Sequence, residues 1–522
     1  MAKPEAETLT GAEALVQTLA NNGVSACFAN PGTSEMHLVT ALDKEPRIRS
    51  VLCLFEGVAT GAADGFARVA GQPAMTLLHL GAGYLNGGAN LHNAKRAKTP
   101  MINIIGDHAV PHLQYEAPLT SDIKGLAAPN MRWLESADTV ASTGTLASQA
   151  FAASFAPLPG PVGLVLPADS AWLEGGDVGP VVTPDVLGRV APGLISEAVN
   201  ALAKAQHPVL IINGSALTAE GLAAAARLKA YGIRVMTDTF YPKMRRGAGL
   251  FAPDRLQYFA EMAMDDLDGT DLMLAAGTTL PVAFFAYPGK PSLLVPEGCE
   301  TLVLGGAETD SAATLAALAD ALGAEESAPM TVLKLPDAPS GPLTAAAVGA
   351  SLARHMPENA LVSDDGVSNS LLSFLPTETA HQHDWMMLTG GAIGQGMPLA
   401  LGAAIAAPDR KVICLSGDGA GMYTVQTLWS MARENADVTT IVYVNHSYRI
   451  LNIELYRTGA GNPGPTAKDM LSIGGPDIDW VALSESMGVP AVEAATAEVF
   501  DAELAKAMTE KGPKLIAAIV PG

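Results

Sequence analysis

Cysteine is scarce in this chain. The four present, Cys27, Cys53, Cys299 and Cys414, are scattered and stand mostly in apolar runs. None has the spacing of a metal ligand set, so buried free thiols are expected. Positive charge is also in short supply: 31 Lys and Arg face 53 Asp and Glu, for a formal charge of −22, and no basic cluster is present. A duplex-binding protein needs a basic face, which excludes a nucleic-acid partner. Acidity of this kind favours solubility, and a cytoplasmic protein is expected. Long apolar runs are missing. No uninterrupted stretch approaches the ~20 residues of a membrane span. The opening Met1-Ala2-Lys3-Pro4-Glu5-Ala6-Glu7 lacks the hydrophobic region of a signal peptide. Charged residues make up only 16% against 49% hydrophobic, which excludes disorder and demands extensive burial.

What is there is an alternation of strand-like and helix-like segments. At 522 residues the chain is too long for one core, and a prior of ~150 residues per domain suggests about three or four. Three α/β blocks are visible. The first, from about Leu9 to Trp172, has a helix over Gly11–Asn22, strands at Ala26–Phe28 and Val51–Phe55, and a helix over Ala59–Ala70. Strands at Ala74–Leu78, Met101–Ile105 and Gly163–Leu166 complete it. Strands spaced by helices pair in parallel. Gly175-Gly176-Asp177-Val178-Gly179-Pro180 reads as a linker. The second block, about 190–325, has strands at Pro208–Ile212, Arg234–Thr237, Leu272–Ala276 and Thr301–Leu304, with an alanine-rich helix over Ala219–Ala230. The proline-bearing stretch Glu325–Pro342 reads as a second linker, and the third block, about 343–522, alternates again.

The most informative feature lies in the third block. A strand-like run, Val412–Leu415, ends at Ser416 and delivers Gly417-Asp418-Gly419. A helix-like stretch follows from Met422 to about Arg433, and a second strand-like run, Thr440–Val444, ends at Asn445. In a parallel sheet both runs finish on the edge where α/β proteins bind ligands. A carboxylate and an amide oxygen then stand side by side at a helix N-terminus, which suits a hard cation bridged to phosphates. A plain turn with an Asn cap is the alternative. Glu56 is a lone carboxylate at the end of an apolar strand, opening a small-residue helix; the helix dipole alone would favour an acid there. The run Gly390-Gly391-Ala392-Ile393-Gly394-Gln395-Gly396 lacks the spacing and the preceding strand of a dinucleotide fingerprint. Asn30-Pro31-Gly32-Thr33-Ser34-Glu35 and Leu78-His79-Leu80-Gly81-Ala82-Gly83 each follow a strand of the first block.

Gly-Asp-Gly followed some 25 residues later by Asn resembles the thiamine diphosphate signature. The resemblance covers essentially the whole chain and is to the acetolactate synthase/benzoylformate decarboxylase (pyruvate decarboxylase-like) superfamily. It implies an α/β fold of three doubly wound parallel-sheet domains: a pyrimidine-binding domain over 1–175, a central domain over 190–325 and a diphosphate-binding domain over 343–522. By that resemblance Asp418 and Asn445 ligate Mg²⁺ through their side chains and Ser447 through its carbonyl, and Gly417, Gly419, Ala420 and Tyr448 complete the diphosphate cradle. Val444 and His446 stand where many relatives have Asn and Gly. Glu56 matches the acid that hydrogen-bonds N1′ of the aminopyrimidine, so that N4′ can take the thiazolium C2 proton; burial would let it share that proton. Gly391 lies in the loop that touches the pyrimidine through backbone, and Ile393 matches the aliphatic that props the cofactor in its bent form. Asp365 stands where relatives carry an acid at the cofactor's edge, or is a solvated turn acid.

On the substrate side, Thr33 matches the Asn-Pro-Gly-Ser loop of benzoylformate decarboxylase and His79 that enzyme's active-site His, or else a turn His satisfied by backbone. Asn86, the pair Asp107-His108 and Gln114 are weaker candidates for the same wall. His37, His92 and His207 are expected to be structural. Three departures limit the analogy. The FAD-binding segment of acetolactate synthases is replaced by Met244-Arg245-Arg246-Gly247-Ala248-Gly249, so FAD is not expected. The late central loop, Val282-Ala283-Phe284-Phe285-Ala286-Tyr287-Pro288-Gly289, has no His. Arg449 and Glu454 follow the metal loop, where relatives often carry small or apolar residues, which implies a polar or differently sized substrate. The expected activity is decarboxylation or carboligation of a 2-oxo acid with thiamine diphosphate and Mg²⁺. A non-catalytic regulatory or structural paralogue and a nucleotide-binding oxidoreductase are the other readings. Since Glu56 and Asp418 fall in different domains, and two subunits supply those surfaces in the family, a homodimer or homotetramer is expected.

Overall fold

The computed structural model describes residues 8–185, 187–459 and 462–522; the opening residues 1–7, read above for a leader, lie outside them. Three parallel sheets organise the chain. The first orders its strands Arg49–Leu52, Ala26–Ala29, Ala74–Leu78, Met101–Asp107, Pro161–Pro167 and Leu134–Ser136, all parallel. The chain leaves Ala26–Ala29 toward one side and later returns to the other, so a crevice opens between that strand and Ala74–Leu78, at the reversal of strand order. The second sheet orders Asp254–Arg255, Arg234–Thr237, Pro208–Ile212, Leu272–Ala276 and Glu300–Val303, again parallel. The third orders Met244–Arg246, His383–Met387, Leu361–Asp365, Val412–Gly417, Val438–Val444, Lys514–Ile519 and Ala491–Ala494. Its reversal lies between Leu361–Asp365 and Val412–Gly417. Met244–Arg246 is antiparallel to His383–Met387, so the segment between the second sheet's strands lends an edge strand to the third sheet.

Central strands such as Ala74–Leu78, Pro161–Pro167, Val412–Gly417 and Val438–Val444 are buried on both faces, as expected of sheets covered by helices. One buried cluster runs continuously from Phe28, Val58 and Phe66 of the first layer to Leu399, Leu401, Cys414 and Val442 of the third. Its seam is a helix pair. Glu56–Ala70 is rich in Gly and Ala, and Gly396–Ala406 is as apolar and small. A Cβ on Gly65 would lie 2.0 Å from the Leu399 carbonyl oxygen, and one on Gly402 would lie 1.8 Å from that of Ala62. Only glycine permits that approach. Since 65 faces 399 while 62 faces 402, the two helices run antiparallel.

Two local expectations are corrected. Glu174–Gly176 is not a free linker: it pairs antiparallel with Leu9–Thr10, and the Gly179 N–H donates to Thr18 Oγ1 at 2.8 Å. The glycines that read as flexible instead permit close packing, a Cβ on Gly179 falling 2.1 Å from the Gly144 carbonyl oxygen. The single helix expected from Met422 is two, Asp418–Met422 and Thr427–Arg433, the first beginning on Asp418 itself. All four cysteines are free, Cys299 half-buried and the others buried. Among the described residues no helix is long and apolar enough to cross a membrane.

Candidate active site

At the reversal point of the third sheet, Val412–Gly417 ends and Asp418 starts a helix. The Asp418 carboxylate is buried. One oxygen accepts from the Gly419 N–H at 2.8 Å; the other accepts from the N–H groups of Asn445 and His446 at 3.0 and 2.7 Å. The anchor residues are therefore brought together: Asp418 is tied to the loop that ends the neighbouring strand Val438–Val444. Burial raises its pKa, against the lowering effect of those backbone donors. Asn445 Oδ1 accepts from the Ser447 N–H at 3.1 Å, and the Tyr448 N–H donates to the Leu471 carbonyl at 3.0 Å. The Tyr448 ring lies where a Cβ on Gly419 would meet it at 2.5 Å, and Gly417 and Ala420 flank the turn. His446 has φ +53°, the left-handed region that favours glycine. Among the described residues no group of three His, Cys, Asp or Glu could hold a metal. A cation here would rest on one carboxylate, one amide oxygen and a carbonyl. Those are hard donors, and the desolvated Asp418 carboxylate gains from a cation's charge.

The glycine-rich loop closes the same edge. Asp365, at the end of Leu361–Asp365, accepts from the Gly394 and Gly396 N–H groups at 2.7 and 3.2 Å, and Thr424 Oγ1 donates to the Gly394 carbonyl at 2.7 Å. Asp365 is thus not a solvated turn acid: burial pushes its pKa up to about 7, and it holds the loop. That loop presents Gly391, exposed with φ +76°, and half-buried Ile393.

Glu56 sits at the ligand edge of the first sheet, heading the helix Glu56–Ala70. It is 6% exposed, and Oε2 accepts from Asn86 Nδ2 at 2.9 Å. A Cβ on Gly83 would lie 3.2 Å from both Glu56 Oε1 and His79 Cβ, so that glycine keeps Glu56 and His79 around one gap. His79 Nδ1 lies 2.9 Å from Glu35 Oε2 and 3.1 Å from Ser34 Oγ. Glu35, fully buried, also accepts from the Gly32 N–H at 2.8 Å and from Ser34 Oγ at 2.7 Å. Glu35 is the residue at this edge that sequence reasoning passed over; it closed a quoted motif, but nothing in its neighbours announced a carboxylate aimed at His79. The next backbone position, Leu80, has φ +48°, a sparsely populated conformation that sets the ring at this edge. A cavity of about 280 Å³ opens here, walled by Thr33, Ser34, His79, His108, His112 and Trp172 among others. Gln114 is exposed and donates to the Pro111 carbonyl, away from that wall.

Within one chain the two ligand edges point apart. Glu56 heads a helix of 15 residues, whose ends stand roughly 20 Å apart. The antiparallel partner begins at Gly396, beside the far end: Asp64 accepts from Gln395 Nε2 at 2.5 Å and from Arg68, and Arg68 donates to the Met387 carbonyl at 2.9 Å. His92 Nε2 faces the Gly390 carbonyl at 3.2 Å, and Asn93 donates to the Ala392 carbonyl at 2.8 Å. The glycine-rich loop is therefore braced on the back of the first sheet, opposite Glu56. The central loop that lacks a His is spent on a clamp. Tyr287 donates to Glu454 at 2.7 Å; Arg457 pairs with Glu454 at 2.6 Å and with both Glu261 oxygens, and lies 3.9 Å over the Phe259 ring.

Residues 9–127 match the family description "Thiamine pyrophosphate enzyme, N-terminal TPP binding domain", and residues 366–518 match its C-terminal TPP binding domain. The chain belongs to the thiamine pyrophosphate enzyme family. It is 48% identical to "Putative acetolactate synthase large subunit IlvX" of Mycobacterium tuberculosis, over 98% of this chain and 99% of that one. It is 28% identical to benzoylformate decarboxylase of Pseudomonas aeruginosa, covering 96% and 97%. Its fold is that of the thiamine diphosphate-dependent 4-hydroxybenzoylformate decarboxylase of Rhodococcus jostii, at TM-score 0.87 and 24% identity, over 98% and 99% of the two chains. The α/β architecture with parallel sheets and the thiamine pyrophosphate family are thus as the sequence motifs implied.

Proposed function

We infer that this family member uses thiamine diphosphate and Mg²⁺ to decarboxylate a 2-oxo acid, releasing an aldehyde or joining the remaining carbon unit to a second carbonyl. The observation that carries this is the buried Glu56 carboxylate across Gly83 from His79, the residue that lines a cavity at a sheet's ligand edge. The sheets read as a pyrimidine-binding domain over 1–175, a central domain over 190–325 and a diphosphate-binding domain over 343–522. Bound thiamine diphosphate supplies a carbanion at its thiazolium carbon and a sink for the electron pair left when CO2 departs. Asp418, Asn445 and the Ser447 carbonyl hold the Mg²⁺, with Gly417, Gly419, Ala420 and Tyr448 around the diphosphate. Gly391 and Ile393 shape the middle of the site. Glu56 shares a proton with the aminopyrimidine; its single side-chain partner among the described residues, Asn86, fixes the carboxylate without supplying a counter-charge. Thr33 and His79 bind the substrate carboxylate, and His79, oriented by Glu35, moves a proton at the edge of the cavity.

Because Glu56 and the glycine-rich loop face apart in one chain, one cofactor touching both requires a second copy, and we read the working unit as a homodimer or homotetramer. The edge-strand role of Met244–Arg246 supports chemistry without FAD, and the acidic composition supports a cytoplasmic location. A reading as a non-catalytic paralogue is disfavoured by the retained Glu56. Purified protein with Mg²⁺ and thiamine diphosphate should release CO2 from at least one member of a 2-oxo acid panel. Silence across the panel with cofactor demonstrably bound would favour the non-catalytic paralogue.

A further inference from the structure

The helix Leu80–Ala97 carries asparagines at 86, 90 and 93. Spacings of four and then three residues put all three on one helix face. Each side chain meets a different part of the ligand edges. Asn86 Nδ2 donates to Glu56 Oε2. Asn90 Nδ2 donates to the Gly57 carbonyl at 2.8 Å, and Asn90 Oδ1 accepts from Asn93 Nδ2 at 3.0 Å. Asn93 Nδ2 also donates to the Ala392 carbonyl at 2.8 Å, and Asn93 Oδ1 accepts from the Ala392 N–H at 3.2 Å. One fully buried amide thus pairs with both backbone groups of a single residue, as a neighbouring strand would. That residue stands between Gly391 and Ile393. Glycines at 390, 391, 394 and 396 give this loop wide backbone freedom, so its conformation has to be imposed from outside. Asp365 and Thr424 hold its later half at Gly394; Asn93 holds its earlier half at Ala392. A Cβ on Gly390 would lie 2.6 Å from Asn93 Oδ1, so glycine there lets the amide reach the loop. Thr389 Oγ1 donates to the Asn93 carbonyl at 2.8 Å and ties the loop's start to the same helix position. Among the described residues the backbones of Gly391 and Ile393 form no hydrogen bond, which leaves them for a ligand.

We propose that Asn93 is a positioning residue: through the backbone of Ala392 it holds Gly391 and Ile393 in the arrangement that receives the heterocyclic end of the cofactor. The proposal rests on the cofactor reading given above. Without the amide the loop samples other conformations, and apparent cofactor affinity falls with the fraction of molecules in the competent one. The diphosphate anchor is built from other groups. Asp418 is held by the N–H groups of Gly419, Asn445 and His446, none of which touches Asn93.

Two probes separate the ends of the cofactor. Thiamine diphosphate and inorganic pyrophosphate, each with Mg²⁺, are titrated calorimetrically into the full-length protein. Pyrophosphate engages the anchor alone, whereas thiamine diphosphate engages the anchor and the loop. Asn93→Leu keeps the side chain's bulk and removes its hydrogen bonds to Ala392. It should weaken thiamine diphosphate at least about tenfold and leave pyrophosphate within about twofold of wild type. If Asn93→Leu does not fold, Thr389→Val, a milder change at the same joint, is read by the same criterion, with an expected selective loss of about threefold. Equal loss of both probes would make the asparagine merely structural, and no loss of either would mean that the loop holds itself; each overturns the proposal. A wild-type preference for thiamine diphosphate that survives in the variant ends this proposal and leaves the cofactor reading standing. Wild-type protein that binds thiamine diphosphate no more tightly than pyrophosphate would instead take the loop out of the cofactor site and end both.

Discussion

The first and third sheets solve the same topological problem with opposite chemistry. Each opens a crevice where its strand order reverses. In the third sheet the crevice is lined by backbone: N–H groups of Gly419, Asn445 and His446 on one carboxylate, and N–H groups of Gly394 and Gly396 on another. In the first, side chains that titrate or donate, His79, His108 and Thr33, line a cavity, and Glu56 is buried across Gly83 from His79. A fixed charged anchor needs rigid dipoles that cost no side-chain entropy; a reacting or discriminating site needs groups that hold and release protons. On the function proposed above, the comparison teaches that binding and chemistry are divided between two edges that face apart in one chain, so that neither edge would complete the site alone.

The largest effect should come from breaking the anchor. Asp418→Ala is expected to abolish Mg²⁺-dependent cofactor binding, read by calorimetry; unchanged affinity would remove Asp418 from the ligand set. Next, Glu56→Gln should keep cofactor affinity while lowering turnover by about 10²–10⁴-fold, the usual worth of a positioned acid–base group. Wild-type turnover in that variant would end its assigned role. Mixing these two inactive variants under subunit exchange sharpens the comparison: a site shared between chains regains about a quarter of wild-type activity in statistical dimers, whereas a site within one chain regains none.

A smaller effect is expected at the seam that turns the two edges apart. Gly65→Ala drives a methyl into the Leu399 carbonyl and should cost about 1–3 kcal/mol, measured by denaturant unfolding. The least effect concerns the clamp on the helix Arg449–Arg457, which has no buried residue of its own. Hydrogen bonds from Arg457 and Lys290 hold the Glu261 carboxyl down at about 2, from an ordinary 4.5. A depressed carboxylate stabilises fully above its unfolded pKa, so the clamp's contribution should be present above pH 4.5 and fade as pH falls toward 2. Limited proteolysis of this helix should accelerate over that range and with added salt, since Glu261 is partly exposed. In Arg457→Ala the segment should be cut quickly at every pH.

Much of this was legible in the order of residues. The strands Ala74–Leu78, Pro208–Ile212, Arg234–Thr237 and Leu272–Ala276 were bounded as they stand, because buried parallel strands are short apolar runs with sharp ends. The pairing of Asp418 with the Asn445 loop followed from two strands ending on one edge. Glu35 was not legible, since its partner His79 is 44 residues away and the contact exists only once two strands lie side by side. Nor was Met244–Arg246, a three-residue edge strand whose pairing partner lies across the domain boundary. The glycines near residue 179 were misread because a glycine that frees the backbone and one that admits a neighbour look identical in sequence.

By itself the sequence determined the alternation of strands and helices, the turn at Asp418 and the acid at Glu56, because periodicity, strand ends and local turns are short-range properties of the chain. Only the tertiary structure decided that the helices carrying Glu56 and Gly396 cross antiparallel through Gly65 and Gly402, that His79 leans on Glu35, and that His79 and His108 line one cavity. Those are contacts between segments far apart in the chain, fixed by close packing and by the need to pair buried polar atoms, and no local pattern encodes them.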